Sequence, residues 1–329
     1  MKTTIDWFKF RCKVNPFELF DLIRPAFGTV GFMLELRTGV KGRDGWLFGA
    51  DVVLPDTCTI AHIDYGGDSQ KGWVRFDMSG EGCGWVQDWA AVEALEDRFG
   101  LNDCDIKRID IAFTTSDPTV ASDAIVVAAF DAGMFACGGR PPAMRSHTST
   151  DPCAGKTRYI GKRESHKFLR CYEKGWELLK DLPRCAEFLK KPGVSMAVDH
   201  LGVVKAADLY RVELELKDVD KYIPWTVIGR RDDVFSGAYP FCGSLLPDAP
   251  HFVMSEMPSF KPKATVLKAM SNMFSAYGGI WKAIHLAYGG GDEVLMEMAR
   301  FMDTADPSRR LVDAGVLTVD HEPIWVEHV

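Results

Sequence analysis

Phe168-Leu169-Arg170-Cys171-Tyr172-Glu173-Lys174 alternates with the period of a strand, and the alternation sorts its chemistry. Arg170, Tyr172 and Lys174 share one face; Leu169 and Cys171 share the other. The pattern returns, now with acids, in Arg108-Ile109-Asp110-Ile111-Ala112-Phe113 and in Arg211-Val212-Glu213-Leu214-Glu215-Leu216. Each of these segments is apolar on one face and charged on the other. Set side by side, three such strands would carry a tyrosine hydroxyl, carboxylates and cations on one wall.

Working outward, Thr4 to Val14 alternates as a first strand, and Asn15-Pro16 opens a helix over Phe17 to Ile23. Short strand-like runs follow at Gly31 to Arg37, Gly45 to Val53, Thr59 to Tyr65 and Gly72 to Met78, separated by Gly- and Asp-rich turns, which predicts a meander. Gln87 to Phe99 has helical spacing, with Gly100 as its stop. Ile106 to Thr115 reads as a strand and Val120 to Gly133 as a helix. Thr157 to Gly161 and Lys167 to Glu173 form a hairpin turning near Arg163 to Ser165. A helix over Gly175 to Lys191 and a strand over Leu209 to Lys217 come next. Beyond Pro262 the pattern is helical, over Ala264 to Ala287 and Asp292 to Met302, with breaks at Gly278-Gly279 and Gly289-Gly290-Gly291. The expected class is α+β: a largely antiparallel curved sheet with flanking helices over residues 1–256, then a helical C-terminal segment over 257–329.

Bulk composition limits the function. A chain of 329 residues with 47% hydrophobic and 26% charged residues is globular rather than disordered. Its longest apolar run, Ala124 to Phe130, falls short of the roughly 20 residues that span a bilayer. Met1 to Phe10 carries Lys2, Asp6 and Lys9 and lacks the apolar centre of a secretory signal, so a cytoplasmic protein is expected and no membrane partner. Nine cysteines without a C-x-x-C pair indicate reduced thiols packed as small hydrophobes. The net charge of −7 argues against a nucleic-acid partner, but its distribution reverses that. Between Lys156 and Lys174 lie seven Lys or Arg against two acids, a basic stripe on an acidic body that would focus a polyanion on one surface. A solvated basic face without function is the plain alternative.

The candidate chemistry is that of a phosphodiester. A tyrosine phenol ionises near pH 10 and is a weak nucleophile, so its environment must help. Arg170 and Lys174 on either side of Tyr172 would favour the phenolate and hold phosphate oxygens. Asp110, Glu213 and Glu215 offer hard oxygen donors that suit Mg²⁺ or Mn²⁺ if their strands are adjacent. Cross-strand pairing of Arg108 with Asp110, or Arg211 with Glu213, explains the same residues without a metal. No H-x-H pair occurs among the eight histidines, although His147 or His166 lies close enough to the basic segment to supply one ligand. Gly80-Glu81-Gly82-Cys83-Gly84 has neither Walker nor dinucleotide spacing and reads as chain turning.

Taken in order, the motifs are more specific than any one of them. Ile5-Asp6-Trp7, Tyr65-Gly66-Gly67, Met78-Ser79-Gly80-Glu81-Gly82-Cys83, Arg108-Ile109-Asp110-Ile111-Ala112, Thr157-Arg158-Tyr159-Ile160-Gly161, Leu169 to Gly175, Arg211-Val212-Glu213-Leu214-Glu215 and Tyr277-Gly278-Gly279 resemble the replication initiation factor family of rolling-circle initiators. That family includes plasmid and filamentous-phage initiators and some relaxases of integrative elements. The resemblance implies a relaxase-like nicking domain: a DNA endonuclease and strand transferase with a divalent metal, Mg²⁺ or Mn²⁺. Tyr172 matches the nucleophile; Asp110 and Glu213 match acidic metal-site positions, with Glu215 beside them. Two departures stand out: Thr114 where the family often has a second aspartate, and an extra segment near 181–209.

On this reading the substrate is origin DNA, nicked to a 5′-phosphotyrosyl link and a free 3′-hydroxyl. Arg108, Arg158, Lys162, Arg163, Lys167, Arg170, Lys174 and Arg211 would position phosphates, and Trp46, Trp73 and Tyr159 would stack unpaired bases. The host replication helicase and polymerase, and a second copy in a homodimer, are the expected protein partners. The rivals are a mobilisation relaxase with the same chemistry, a noncatalytic DNA-binding regulator, and a small-molecule α+β enzyme with a closed pocket.

Overall fold

The computed structural model describes residues 2–99, 103–138, 140–148, 155–179, 209–219, 221–252 and 262–287, with residues 296 and 300. Its contacts divide the chain into two units, Met1–Met257 and Pro258–Val329.

Among the described residues the first unit is built on one open sheet of ten strands. In chain order these are β1 (Thr4–Cys12), β2 (Glu35–Lys41), β3 (Phe48–Leu54), β4 (Cys58–Tyr65), β5 (Val74–Ser79), β6 (Cys104–Thr115), β7 (Met144–Thr148), β8 (Lys156–Ile160), β9 (Lys167–Glu173) and β10 (Tyr210–Lys217). Across the sheet the order is β2-β3-β4-β5-β1-β6-β10-β9-β8-β7, and every pairing is antiparallel. β10 returns after β9 but inserts between β6 and β9. That insertion brings the three two-faced strands together in the order Asp110, Glu213, Tyr172.

One face of the sheet is apolar and covered. Phe8, Phe10, Phe76, Ile109, Ile111, Leu214, Leu169 and Cys171 are fully buried on it. Trp225, in the short helical turn Trp225–Val227 after β10, sits edge-on to both Phe8 and Phe10, at 5.8 and 5.3 Å between ring centroids. The helices Arg231–Ala238 and Pro240–Leu245 extend this cover, with Phe235 tilted against Phe113 at 6.2 Å. The helix Pro16–Ile23 buries Leu19, Phe20 and Ile23; Asn15 caps it by accepting from the Phe17 amide. Because Trp225 is wholly enclosed by ring contacts that a smaller residue cannot replace, Trp225→Ala should destabilise the fold by about 3–5 kcal/mol. A chemical-denaturation midpoint reads this directly; an unchanged midpoint would contradict the role given to this side chain.

Several sequence expectations shift. The run Gly31 to Arg37 is no single strand: 3₁₀ turns occupy Arg24–Met33, with Pro25 near their start and Gly28 at φ +55°, and β2 begins only at Glu35. Gln87 to Phe99 forms two short helices, Trp89–Glu93 and Leu95–Phe99, the first capped by Asp88 accepting from the Ala90 and Ala91 amides. The helix expected over Val120 to Gly133 is confined to Asp123–Asp131. β7 and the helices after Trp225 lack a clear periodic signature and were not anticipated. The helix read from Gly175 begins at Lys174 and is described to Leu179. Its continuation to Lys191, and the extra segment near 181–209 up to residue 208, lie outside the described residues. Asp292 to Met302 does too, apart from residues 296 and 300. Among the described cysteines, Cys12, Cys83, Cys104, Cys171 and Cys242 are buried as small hydrophobes would be, whereas Cys58 is half-buried and Cys137 is exposed.

In the second unit the described structure is one helix, Pro262–Ala287. It runs through Gly278-Gly279, where a break was expected; paired glycines cost a helix roughly 1 kcal/mol each relative to alanine without ending it. Tyr277, Ile280 and Leu286 are exposed on it.

Candidate active site on the polar face of the sheet

The opposite face of the sheet is a wall of charged and polar side chains, and its register can be followed residue by residue. Arg211 stands opposite Tyr172 on β9 and Thr114 on β6; Glu213 stands opposite Arg170 and Ala112; Glu215 stands opposite Phe168 and Asp110. Trp7 of β1 is next to Asp110 on its other side. Asp110, Glu213, Glu215, Arg211 and Tyr172 are all buried, at 1, 2, 5, 6 and 9% exposure. Polar groups so enclosed need partners, and here they have one another.

Tyr172 donates its hydroxyl to Glu213 Oε2 at 3.1 Å. The other oxygen of Glu213 is held by Arg170 Nη2. Arg170 also lies over the tyrosine ring, with its guanidinium carbon 5.1 Å from the ring centre, and Lys174 Nζ lies 5.7 Å from it. A second unit joins Asp110 to Glu215 through Arg108. Its Nε reaches Asp110 Oδ1 at 2.8 Å, and its Nη2 bridges Asp110 Oδ2 and Glu215 Oε2 at 2.5 and 2.9 Å. The Arg108 guanidinium also stacks 4.4 Å from the Trp7 ring. A third joins Arg211 to Asp6 Oδ1 at 2.7 Å and to Thr114 Oγ1 at 2.9 Å.

Arg170 favours the phenolate as expected, but burial outweighs it and pushes the Tyr172 phenol well above its ordinary value. Arg211 and Arg170 pull it down and Glu213 and Asp6 push it up, without reversing the effect of burial. The resting hydroxyl is protonated and hydrogen-bonded to a carboxylate. Lys174 is itself depressed by burial and by Arg211. Asp110 is pushed up to about 7 by burial, with Glu213 and Glu215 adding to the rise and Arg108 opposing it.

The cations expected to position phosphates divide. Arg108, Arg170 and Arg211 lie on the wall, and Lys174 follows at the end of β9. Arg158 does not join them: it is paired with Cys171 in register, on the apolar-side face, and is engaged by Asp123 at 2.6 and 2.8 Å. Lys167 also points to that side, donating to the Ala238 carbonyl at 2.6 Å over the Tyr239 ring. Lys162 and Arg163 are exposed in the β8–β9 turn. Arg170, with its side chain 36% exposed, is the guanidinium beside Tyr172 that a phosphate can reach from solvent; that of Arg211 is 8% exposed. Trp46, Trp73 and Tyr159 are partly exposed; Trp73 carries Arg11 over its ring at 4.2 Å, and Tyr159 stacks on Phe168 at 5.8 Å.

Asp6 and Trp7 were missed as site residues. His147 lies in the row Tyr172-Thr157-His147, exposed and two strands from the tyrosine, whereas His166 is turned to the Lys217 carbonyl.

As donors for a cation, Asp110, Glu213 and Glu215 fit in kind: all are hard oxygens. In arrangement they are not a ready-made cage. Among the described residues no three His, Cys, Asp or Glu side chains are gathered to hold an ion, and Arg108 and Arg170 are paired with the three carboxylates. Asp110 and Glu215 are the adjacent pair that substrate phosphate could complete, the usual manner of Mg²⁺ binding.

Among the described residues no helix is long and apolar enough to cross a membrane. No curated protein sequence matches the chain. Among solved structures it is similar to a rolling circle replication initiator protein from Geobacillus stearothermophilus, at 14% identity and a TM-score of 0.49, over 79% of this chain and 92% of that one. The family model described as replication initiation factor matches residues 104–265, a span that takes in β6 through β10 and with them Asp110, Tyr172, Glu213 and Glu215. Residues 104–265 thus carry a replication initiation factor domain.

Proposed function

We propose that the protein initiates rolling-circle replication by nicking one strand of origin DNA and later transferring it. The observation that carries this reading is the hydrogen bond from the Tyr172 hydroxyl to Glu213, on a wall that also holds Arg170 and the Asp110–Glu215 pair. The Tyr172 oxygen attacks the scissile phosphorus and its proton passes to Glu213. A phosphorus–oxygen bond forms to tyrosine as the bond to the 3′ oxygen breaks. The departing 3′ oxygen takes a proton from solvent, and the products are a 5′-phosphotyrosyl ester and a 3′-hydroxyl that a host polymerase can extend. One ester replaces another, so neither cleavage nor resealing needs ATP. Arg170 lies where it can balance charge on the phosphate oxygens. A bound Mg²⁺ or Mn²⁺, held by Asp110 and Glu215, would polarise the phosphate and stabilise the departing oxygen.

The test uses supercoiled plasmid carrying the replicon's origin. Wild type with Mn²⁺ should give nicked circles and protein covalently attached to DNA, and excess chelator should abolish both. Asp110→Asn should need at least about tenfold more Mn²⁺ for the same rate while binding DNA about as well. Equal nicking in chelator would remove the metal from this scheme. Absence of both nicking and adduct would leave a DNA-binding regulator as the better reading.

A further inference from the structure

Asp6 reaches the site by an irregularity in β1. Ile5 is paired with Ile111 and Trp7 with Asp110, so Asp6 is an extra residue without a partner on β6. A bulge of this kind re-aims a side chain. Space for it is kept by Gly80: a Cβ there would lie 2.7 Å from Asp6 Oδ1 and 2.9 Å from the Asp6 carbonyl oxygen. The delivered carboxylate takes Arg211 Nη1 at 2.7 Å, while Thr114 Oγ1 takes Arg211 Nε at 2.9 Å. Both ends of the guanidinium are thereby tied toward β1 and β6.

The tie matters because of where Arg211 starts. Its backbone is opposite Tyr172, and Glu213 is two residues further along the same strand and the same face. An untethered guanidinium, buried and charged, must find another carboxylate. Glu213 is the neighbouring one, and it is also the acceptor of the tyrosine hydroxyl. We propose that Asp6 is a positioning residue, holding Arg211 on Thr114 and off Glu213 so that Glu213 remains free to receive the Tyr172 proton; this rests on the nicking mechanism above.

The test compares the whole chain as wild type, Asp6→Asn, and Asp6→Asn combined with Thr114→Asp. In the double variant a carboxylate is restored beside Arg211 Nε from the other side. Single-turnover nicking of a labelled single-stranded origin oligonucleotide should slow at least about tenfold in Asp6→Asn, with the DNA Kd changed less than about threefold. The double variant should regain most of the rate. A wild-type rate in Asp6→Asn overturns the proposal. If Asp6→Asn does not fold, the double variant decides: folded and fast supports it, folded and slow overturns it. A crystal structure of whichever variant folds separates this from the nicking reading. In Asp6→Asn Arg211 should turn onto Glu213, and in the double variant it should be held by the aspartate at 114. Arg211 left on Thr114 in the first, or found on Glu213 in the second, overturns the positioning role whatever the activity. Failure of wild type itself to form an adduct instead sinks the nicking chemistry alone.

Discussion

Tyr172→Phe should form no covalent DNA adduct and should lower the nicking rate by at least about 10⁴-fold, the order lost when an enzyme's nucleophile is removed. The substitution is well matched to the question. It keeps the ring that packs beneath Arg170 and removes one hydroxyl whose hydrogen bond runs to Glu213. Loss of that single bond should cost about 0.5–1.5 kcal/mol of stability, so the variant should remain folded and should still bind DNA through untouched cations. Denaturing gel electrophoresis of the labelled oligonucleotide reads the adduct directly. An adduct formed by the phenylalanine protein would place the nucleophile elsewhere and remove Tyr172 from the mechanism.

The parts legible in the sequence were those set by local period. Alternation in 168–174, 108–113 and 211–216 was enough to divide each strand into an apolar and a charged face, and the structure keeps that division. Their adjacency was not legible, because β10 enters between β6 and β9 by pairings remote in sequence. Lys167 could have been excluded by parity alone, since it shares a face with Leu169 and Cys171. Arg158 could not, because its face depends on register with β9. Asp6 was hidden for a different reason: strict alternation gives no sign of a bulge, and the bulge is what turns its carboxylate toward Arg211. The state of the phenol was not legible, because two flanking cations are visible in a sequence and the burial that outweighs them is not. With the hydroxyl protonated at rest, attack requires a group to take the proton, and this shifts weight from the cations to Glu213.

Glu213→Gln therefore carries the second large effect. Glutamine preserves the size of the side chain and can still accept from the tyrosine hydroxyl, but it cannot hold the transferred proton and it loses the charge that pairs with Arg170. Nicking should fall by about 10²–10⁴-fold, the range associated with a lost general base, while DNA affinity stays close to wild type. Glu213→Ala asks a different question. It removes the acceptor and also leaves Arg170 without its partner. Breaking such a pair costs about 3–5 kcal/mol when it is fully buried, and less here because the arginine is partly exposed. The two variants should therefore separate: glutamine slow but stable, alanine slow and less stable by thermal unfolding. If Glu213 served only to hold Arg170 in place, activity would follow stability, and glutamine would nick much faster than alanine. Equal, severe loss in a stable glutamine variant is the outcome that distinguishes proton transfer from scaffolding, because the amide oxygen can still accept from Arg170 and the tyrosine but the amide cannot take the proton.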